Sequence, residues 1–393
     1  MPVFDGIHLD FDLGAHIAVP AGHADVEYSI IDLSTGKEEI SGTIPAPESG
    51  YAHISTGRKY YVPWRVKLKS GGKEYVHDLN LEGQNVYIDL RSAMGDSIAW
   101  MRSVELFTEK HKCKTTVIQK QAYIQLFRET HPDYIFIPRE EWDKMEMPDG
   151  VYARYICCTD CMRPDCHDYQ PKDYRKISVQ ACGDAVLGVD SKGESSRVAV
   201  PPNAKKIPNL VCIACRASAP CKEWHYPGGW DDVVSALRDN GYRVVCIDGD
   251  NGNLPKDAED WTGYFPLKER AELLKSARLF IGLPSGLSWL AYAVGTPHVL
   301  IDGMSDPAIE APTKYTVVPP YGKCRNCWSF ADQNQWKRYQ QCFNYWGGYD
   351  YKHKEPIKKF GPNKFEQYEC TKSIESQWVI GQVFKALKDT EEK

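Results

Sequence analysis

Nowhere in this chain of 393 residues is there an apolar run of the roughly 18 residues that a membrane-spanning helix needs. The start, Met1-Pro2-Val3-Phe4-Asp5-Gly6, lacks the cationic residues and apolar stretch of an export signal, so a soluble, cytoplasmic protein is expected. No basic run or basic amphipathic helix stands out, and 53 Asp+Glu outnumber 48 Lys+Arg to leave a net charge of −5, which argues against nucleic acid or an anionic membrane as partner. Hydrolase elbow, P-loop and HExxH motifs are missing, as are internal repeats and low-complexity tracts. Cysteine, by contrast, is plentiful. Fourteen cysteines clustered at short spacings, in a long chain without an export signal, point to reduced thiols and metal ligands rather than a disulfide scaffold.

Hydrophobic residues at 42% suffice for two or three buried cores. From Tyr61 to Asn80 Val62, Trp64, Val66 and Leu68 alternate with polar residues before a turn at Ser70-Gly71-Gly72, and Val26 to Leu33 and Glu38 to Ile44 flank Ser34-Thr35-Gly36-Lys37. Both read as hairpins, so a small antiparallel β domain is expected over residues 1–82. After Gly83 strands and helices alternate: strands at Val86 to Leu90, Thr115 to Ile118 and Tyr134 to Ile137, helices at Ile98 to Lys112 and Ala122 to Thr130. A second such block opens at Leu210 to Ala214, and its first helix carries Trp230, Val233, Val234 and Leu237 with Asp231 and Asp232 in its first turn. Two Rossmann-like halves, residues 83–200 and 201–320, would hold a ligand in the cleft between them. A polar, cysteine-bearing module over 321–372 and a final helix over 373–393 complete the chain.

Three turns carry the chemistry. Gly95-Asp96 follows the first α/β strand, where a carboxylate faces an interdomain crevice and takes a proton from an incoming hydroxyl. Asp is also a favoured helix cap, and the two roles are compatible. Arg216 and Lys222 leave the first strand of the second half, well placed to offset the charge of a departing diphosphate, although a lone loop lysine is usually solvated. In Pro284-Ser285-Gly286-Leu287-Ser288-Trp289 small residues admit backbone N–H groups and a hydroxyl to a phosphate, and the following helix aims its positive end there. An ordinary tight turn has the same composition. Asp248-Gly249-Asp250 resembles the Asp-x-Asp of metal-dependent transferases, but its flanks are those of a turn, which is the favoured reading.

Cys324-x2-Cys327 with Cys342 and Cys370 forms a four-thiolate set in one polar segment, a pattern that suits a tetrahedral metal ion. Cys157, Cys158, Cys161 and Cys166 with His167 could hold a second ion or be unrelated thiols.

Taken in order, Tyr60 to Arg65, Gly95 to Trp100, Lys222-x-Trp224, Gly241 to Asp248, Pro284 to Trp289, and Cys324 to Trp328 with Cys342 and Phe365 to Thr371 resemble the bacterial autotransporter heptosyltransferases, relatives of the lipopolysaccharide heptosyltransferases. The resemblance implies an α/β fold of GT-B type and inverting transfer of heptose from an ADP-activated sugar to serine hydroxyls of an autotransporter adhesin. It casts Asp96 as general base and Lys222 at the diphosphate, with Gly95, Arg216, Ser285, Gly286, Leu287, Ser288 and Trp289 as the nucleotide-sugar site. It also implies iron at Cys324, Cys327, Cys342 and Cys370, and a large homo-oligomeric ring; thiolate spacing alone equally permits zinc. No catalytic divalent metal is expected. The Cys157-to-His167 stretch and Cys215 and Cys221 depart from the family pattern. Rival readings are an Asp248/Asp250 metal-dependent transferase, a nucleotide-sugar epimerase and a non-catalytic sugar-binding scaffold.

Overall fold

The computed structural model describes residues 3–45, 47–158, 167–201, 204–330, 349–350, 355–356 and 368–391. Eight strands come first: β1 (Val3–Phe4), β2 (Ile7–Asp12), β3 (His16–Pro20), β4 (Val26–Asp32), β5 (Lys37–Ile44), β6 (Tyr51–Ser55), β7 (Trp64–Ser70) and β8 (Lys73–Asp78). The two expected hairpins form, as β4–β5 and β7–β8, and join through β4 and β7 into an antiparallel sheet ordered β5-β4-β7-β8. Alternation sets its inner face: Trp64, Val66 and Leu68 are buried while Lys67 and Lys69 face water.

The remaining N-terminal strands do something else. The next unit supplies β9 (Asn85–Arg91), α1 (Met94–His111), β10 (Lys114–Gln119), α2 (Gln121–Ile124), β11 (Ile135–Pro138), α3 (Arg139–Trp142), β12 (Ala153–Cys158) and α4 (Val179–Leu187). β2 pairs parallel with β12, and β3 and β6 follow antiparallel, giving the order β11-β10-β9-β12-β2-β3-β6. The expected separate β domain over 1–82 is therefore split between two sheets. The open edge of β12 needs a partner, and β2 covers it while sending Ile7, Leu9 and Phe11 into the core. The helix expected over Ala122 to Thr130 is shorter, α2 alone, and passes into turns.

The second half is a sheet of six parallel strands, β13 (Ile207–Ile213), β14 (Arg243–Cys246), β15 (Glu259–Asp260), β16 (Ala277–Gly282), β17 (His298–Ile301) and β18 (Tyr315–Val317), in the order β15-β14-β13-β16-β17-β18. Numbered within the half this is 3-2-1-4-5-6, a doubly wound arrangement whose topological switch lies between β13 and β16. Leu210 to Ile213 and the whole of β17 are buried, as expected of strands covered on both faces. Helices α5 (Gly229–Asp239), α6 (Leu267–Ser276) and α7 (Gly286–Ala293) pack on it. The C-terminal helix Ser376–Glu391 seats Val379, Val383, Ala386 and Leu387 in the same core. Among the described residues no helix is long and apolar enough to cross a membrane.

Candidate functional site

The exits of β9 and β16 face one another. After β9 the chain enters α1 one turn earlier than the apolar pattern suggests, which puts Asp96 in the helix's first turn. Its carboxylate accepts a hydrogen bond from the Ser92 hydroxyl and one of 3.3 Å from the Ala93 N–H. Across from it, α7 begins at Gly286. The approach is close: a methyl added at Gly95 would lie 2.8 Å from Trp289 Cδ1 and 3.3 Å from Gly286 Cα, and one added at Gly286 would strike Met94. Both glycines are needed so that two helix starts, one from each half, meet backbone to backbone.

Around this contact lies a cavity of about 580 Å³. The first half contributes Ser92 to Asp96, Tyr123, Tyr174, Val179 and Cys182. The second contributes Ser218, Ala219 and Lys222 after β13, and Pro284, Ser285, Gly286 and Trp289 at the start of α7. Met304, Ile309, Glu310 and Trp328 close it. Asp96 and Lys222 thus share one chamber. Lys222 sits at the end of a single 3-10 turn, Pro220–Lys222. Ser285 Oγ is buried without a hydrogen-bond partner among the described residues, an acceptor and donor left open beside the positive end of α7.

Three of the residues expected at the site stand elsewhere. Ser288 is buried and donates 2.6 Å to the Leu283 carbonyl, holding the turn, and Leu287 packs on the core. Arg216 is spent outside the cavity, on Asp250 at 2.8 Å and near Glu223 at 3.7 Å. Helical geometry explains the first two, since only one face of α7's first turn meets the chamber.

Asp248 and Asp250 diverge. Asp250 is on the surface with Arg216, whereas Asp248 is buried and accepts the N–H groups of Cys215 at 2.8 Å and Arg216 at 3.2 Å. Burial pushes the Asp248 carboxyl above its ordinary range against the pull of those bonds. Cys215, Cys246 and Asp248 have their ligand atoms within 4.8 Å of one another. With both carboxylate oxygens already engaged, the carboxylate serves as a staple for the loop that leads to Lys222.

Of the four-cysteine set, Cys324 and Cys370 are buried and Cys327 is half-buried, while Cys342 lies outside the described residues. Asn326 N–H bonds to the Gly303 carbonyl at 3.1 Å, and Cys370 packs against Gly303, so both pieces dock on the loop after β17. Trp328, next to Cys327, meets Tyr174 edge to face at 5.8 Å in the cavity wall. Of the second cysteine group, Cys157 is buried in β12 within the core, and Cys158 is disulfide-bonded, contrary to the expected reduced state. Cys161 and Cys166 lie outside the described residues.

Sequence reasoning missed Tyr174, Cys182, Met304 and Glu310, and with Glu310 its partners Ser305 and Asp302. The rule that ligands meet the C-terminal ends of strands, applied to β17, would have flagged Asp302.

The description Glycosyltransferase family 9 (heptosyltransferase) belongs to a family model that matches residues 184–345. The autotransporter heptosyltransferase Aah of Escherichia coli is 33% identical, over 96% of this chain and 92% of its own. The inactive autotransporter heptosyltransferase BimC of Burkholderia thailandensis is 28% identical over 84% of this chain and 77% of its own. The dodecameric, iron-containing heptosyltransferase TibC, solved in complex with ADP-D-β-D-heptose, superposes with a TM-score of 0.80 at 28% identity, over 98% of this chain and 97% of TibC. Two doubly wound halves meeting at a shared chamber, and a relative one-third identical along almost the whole length, place the chain in the autotransporter heptosyltransferase family.

Proposed function

We propose that this protein transfers a heptose from ADP-heptose to serine hydroxyls of an autotransporter adhesin by single displacement with inversion. The observation that carries this reading is that Asp96 and Lys222, brought from different halves, line one cavity beside the N-terminus of α7. Asp96 takes the proton of the acceptor hydroxyl as its oxygen bonds to the anomeric carbon. The bond from that carbon to the diphosphate breaks, and the electron pair leaves with ADP. Lys222, the Ser285 hydroxyl and the Gly286 N–H end offset the charge that collects on the leaving group. Gly95 and Trp289 shape the floor of the chamber. Arg216 has no part in it, being held by Asp250.

TibC is iron-containing and dodecameric, and for this chain we read the same two properties. Cys324, Cys327 and Cys370, with Cys342, are the thiolates that would hold iron, zinc being the alternative that soft ligands allow. Soft thiolates suit such an ion, and of this set Cys324 and Cys370 are buried, Cys370 against Gly303. When bound, the ion would tie the cysteine loop to the segment after β17 and so fix Trp328 in the cavity wall. The protein would work in the cytoplasm as a large homo-oligomer.

The test is purified chain with ADP-heptose and an adhesin passenger fragment, followed by intact mass. Expected are gains of whole heptose residues on the passenger with one ADP released for each. ADP release without mass gain, donor consumption without ADP, or binding without turnover would each overturn the reading; the last would match a non-catalytic subunit, and BimC is named inactive. Metal analysis of the same preparation should return iron; zinc in its place would assign the alternative ion.

A further inference from the structure

Behind the cavity, three side chains share too few protons. The loop after β17 buries Asp302, fully, and Ser305, 1% exposed, and reaches Glu310, which is 8% exposed and lines the chamber. Asp302 Oδ1 accepts the N–H groups of Met304 at 3.0 Å and Ser305 at 3.1 Å. The Ser305 hydroxyl lies 2.9 Å from Asp302 Oδ2 and 2.7 Å from Glu310 Oε1. A hydroxyl has one hydrogen, so it donates to one carboxyl and must receive a proton from the other. Burial, and for Asp302 the neighbouring Glu310 charge, push both carboxyls upward, Asp302 to about 7, so the pair keeps a proton near neutral pH. Glu310 is thereby pinned by one oxygen. Oε2 has no hydrogen-bond partner among the described residues.

The chamber's charges restrict what that oxygen can receive. Glu310 is electrostatically drawn to Lys222 and opposed by Asp96, so it stands within the field of both. A diphosphate would be repelled by a second carboxyl in the chamber, and the acceptor hydroxyl is served by Asp96. Sugar hydroxyls remain: they are neutral, each brings a donor, and Glu310 belongs to the half that carries Lys222 and Ser285. Resting on the transferase reading, we infer that Glu310, positioned by Ser305 and Asp302, grips ring hydroxyls of the transferred sugar and so determines which activated sugar the site accepts.

Calorimetric titration of the full-length protein with ADP-heptose and with ADP alone tests this. Glu310→Ala should weaken ADP-heptose roughly ten- to hundredfold, the range of a hydrogen bond to a charged group, and leave ADP nearly unchanged. Glu310→Gln, whose amide oxygen still accepts, should recover part of the loss. Ser305→Ala should show the same split to a smaller extent. Equal weakening of both ligands would reduce Glu310 to a structural role, and an unaltered ADP-heptose affinity would remove it from the site; either overturns the inference alone. Wild-type protein that binds ADP but not ADP-heptose would overturn the transferase reading and the inference with it.

Discussion

Asp96→Asn is expected to lower the rate of transfer roughly 10²–10⁴-fold, the span that a positioned general base contributes, with ADP-heptose binding little changed. The substitution is nearly isosteric. An amide oxygen in place of Asp96 Oδ2 still accepts from the Ser92 hydroxyl and the Ala93 N–H, so the first turn of α1 keeps its cap. What is lost is an acceptor for the proton of the attacking hydroxyl. Initial rates of passenger modification beside a binding isotherm for the donor separate the two effects. Turnover near the wild-type rate would remove Asp96 from the chemistry and leave it as a cap.

Lys222→Ala is expected to cost roughly 10²–10³-fold in kcat, by analogy with the loss of one group stabilising transition-state charge, and to weaken ADP as well. Asp96 and Glu310 line the same chamber. Asp302 stands behind Glu310, so removing the ammonium leaves an acidic site to receive an anionic diphosphate. Lys222→Arg should restore charge but only part of the rate, because a planar guanidinium does not present its donors from the same point. Stopped assays of ADP release, with ADP titrations, provide the numbers. Unaltered release from the alanine variant would place the leaving-group contact elsewhere, on Ser285 and the helix end. The two variants also differ in kind, since loss of the base spares the product complex and loss of the lysine does not.

Periodicity found most of the scaffold. The β7–β8 hairpin was legible from Trp64, Val66 and Leu68 because a strand with one wet face alternates along its own length. That Asp96, Lys222, Ser285 and Gly286 would line one cavity was legible from their place at strand exits, a rule that needs only the order of elements. Ser288 and Leu287 were drawn in by their neighbours in sequence, and only the rotation of α7 separates them from Ser285. Arg216 looked equivalent to Lys222, yet Asp250 competes for its charge across a loop that sequence order does not bring near.

The sequence by itself determined the α/β alternation, the hairpins and the turns that hold acid, cation and glycine, because each depends on residues within a few positions of one another. Tertiary structure decided that β2, β3 and β6 join a distant sheet edge, that Gly95 and Gly286 approach closely, and that the Ser305 hydroxyl bridges Glu310 and Asp302 beside the cavity. These depend on which surfaces are left uncovered once local elements have formed, and backbone pairing, close packing and burial of charge act between residues that the chain keeps far apart.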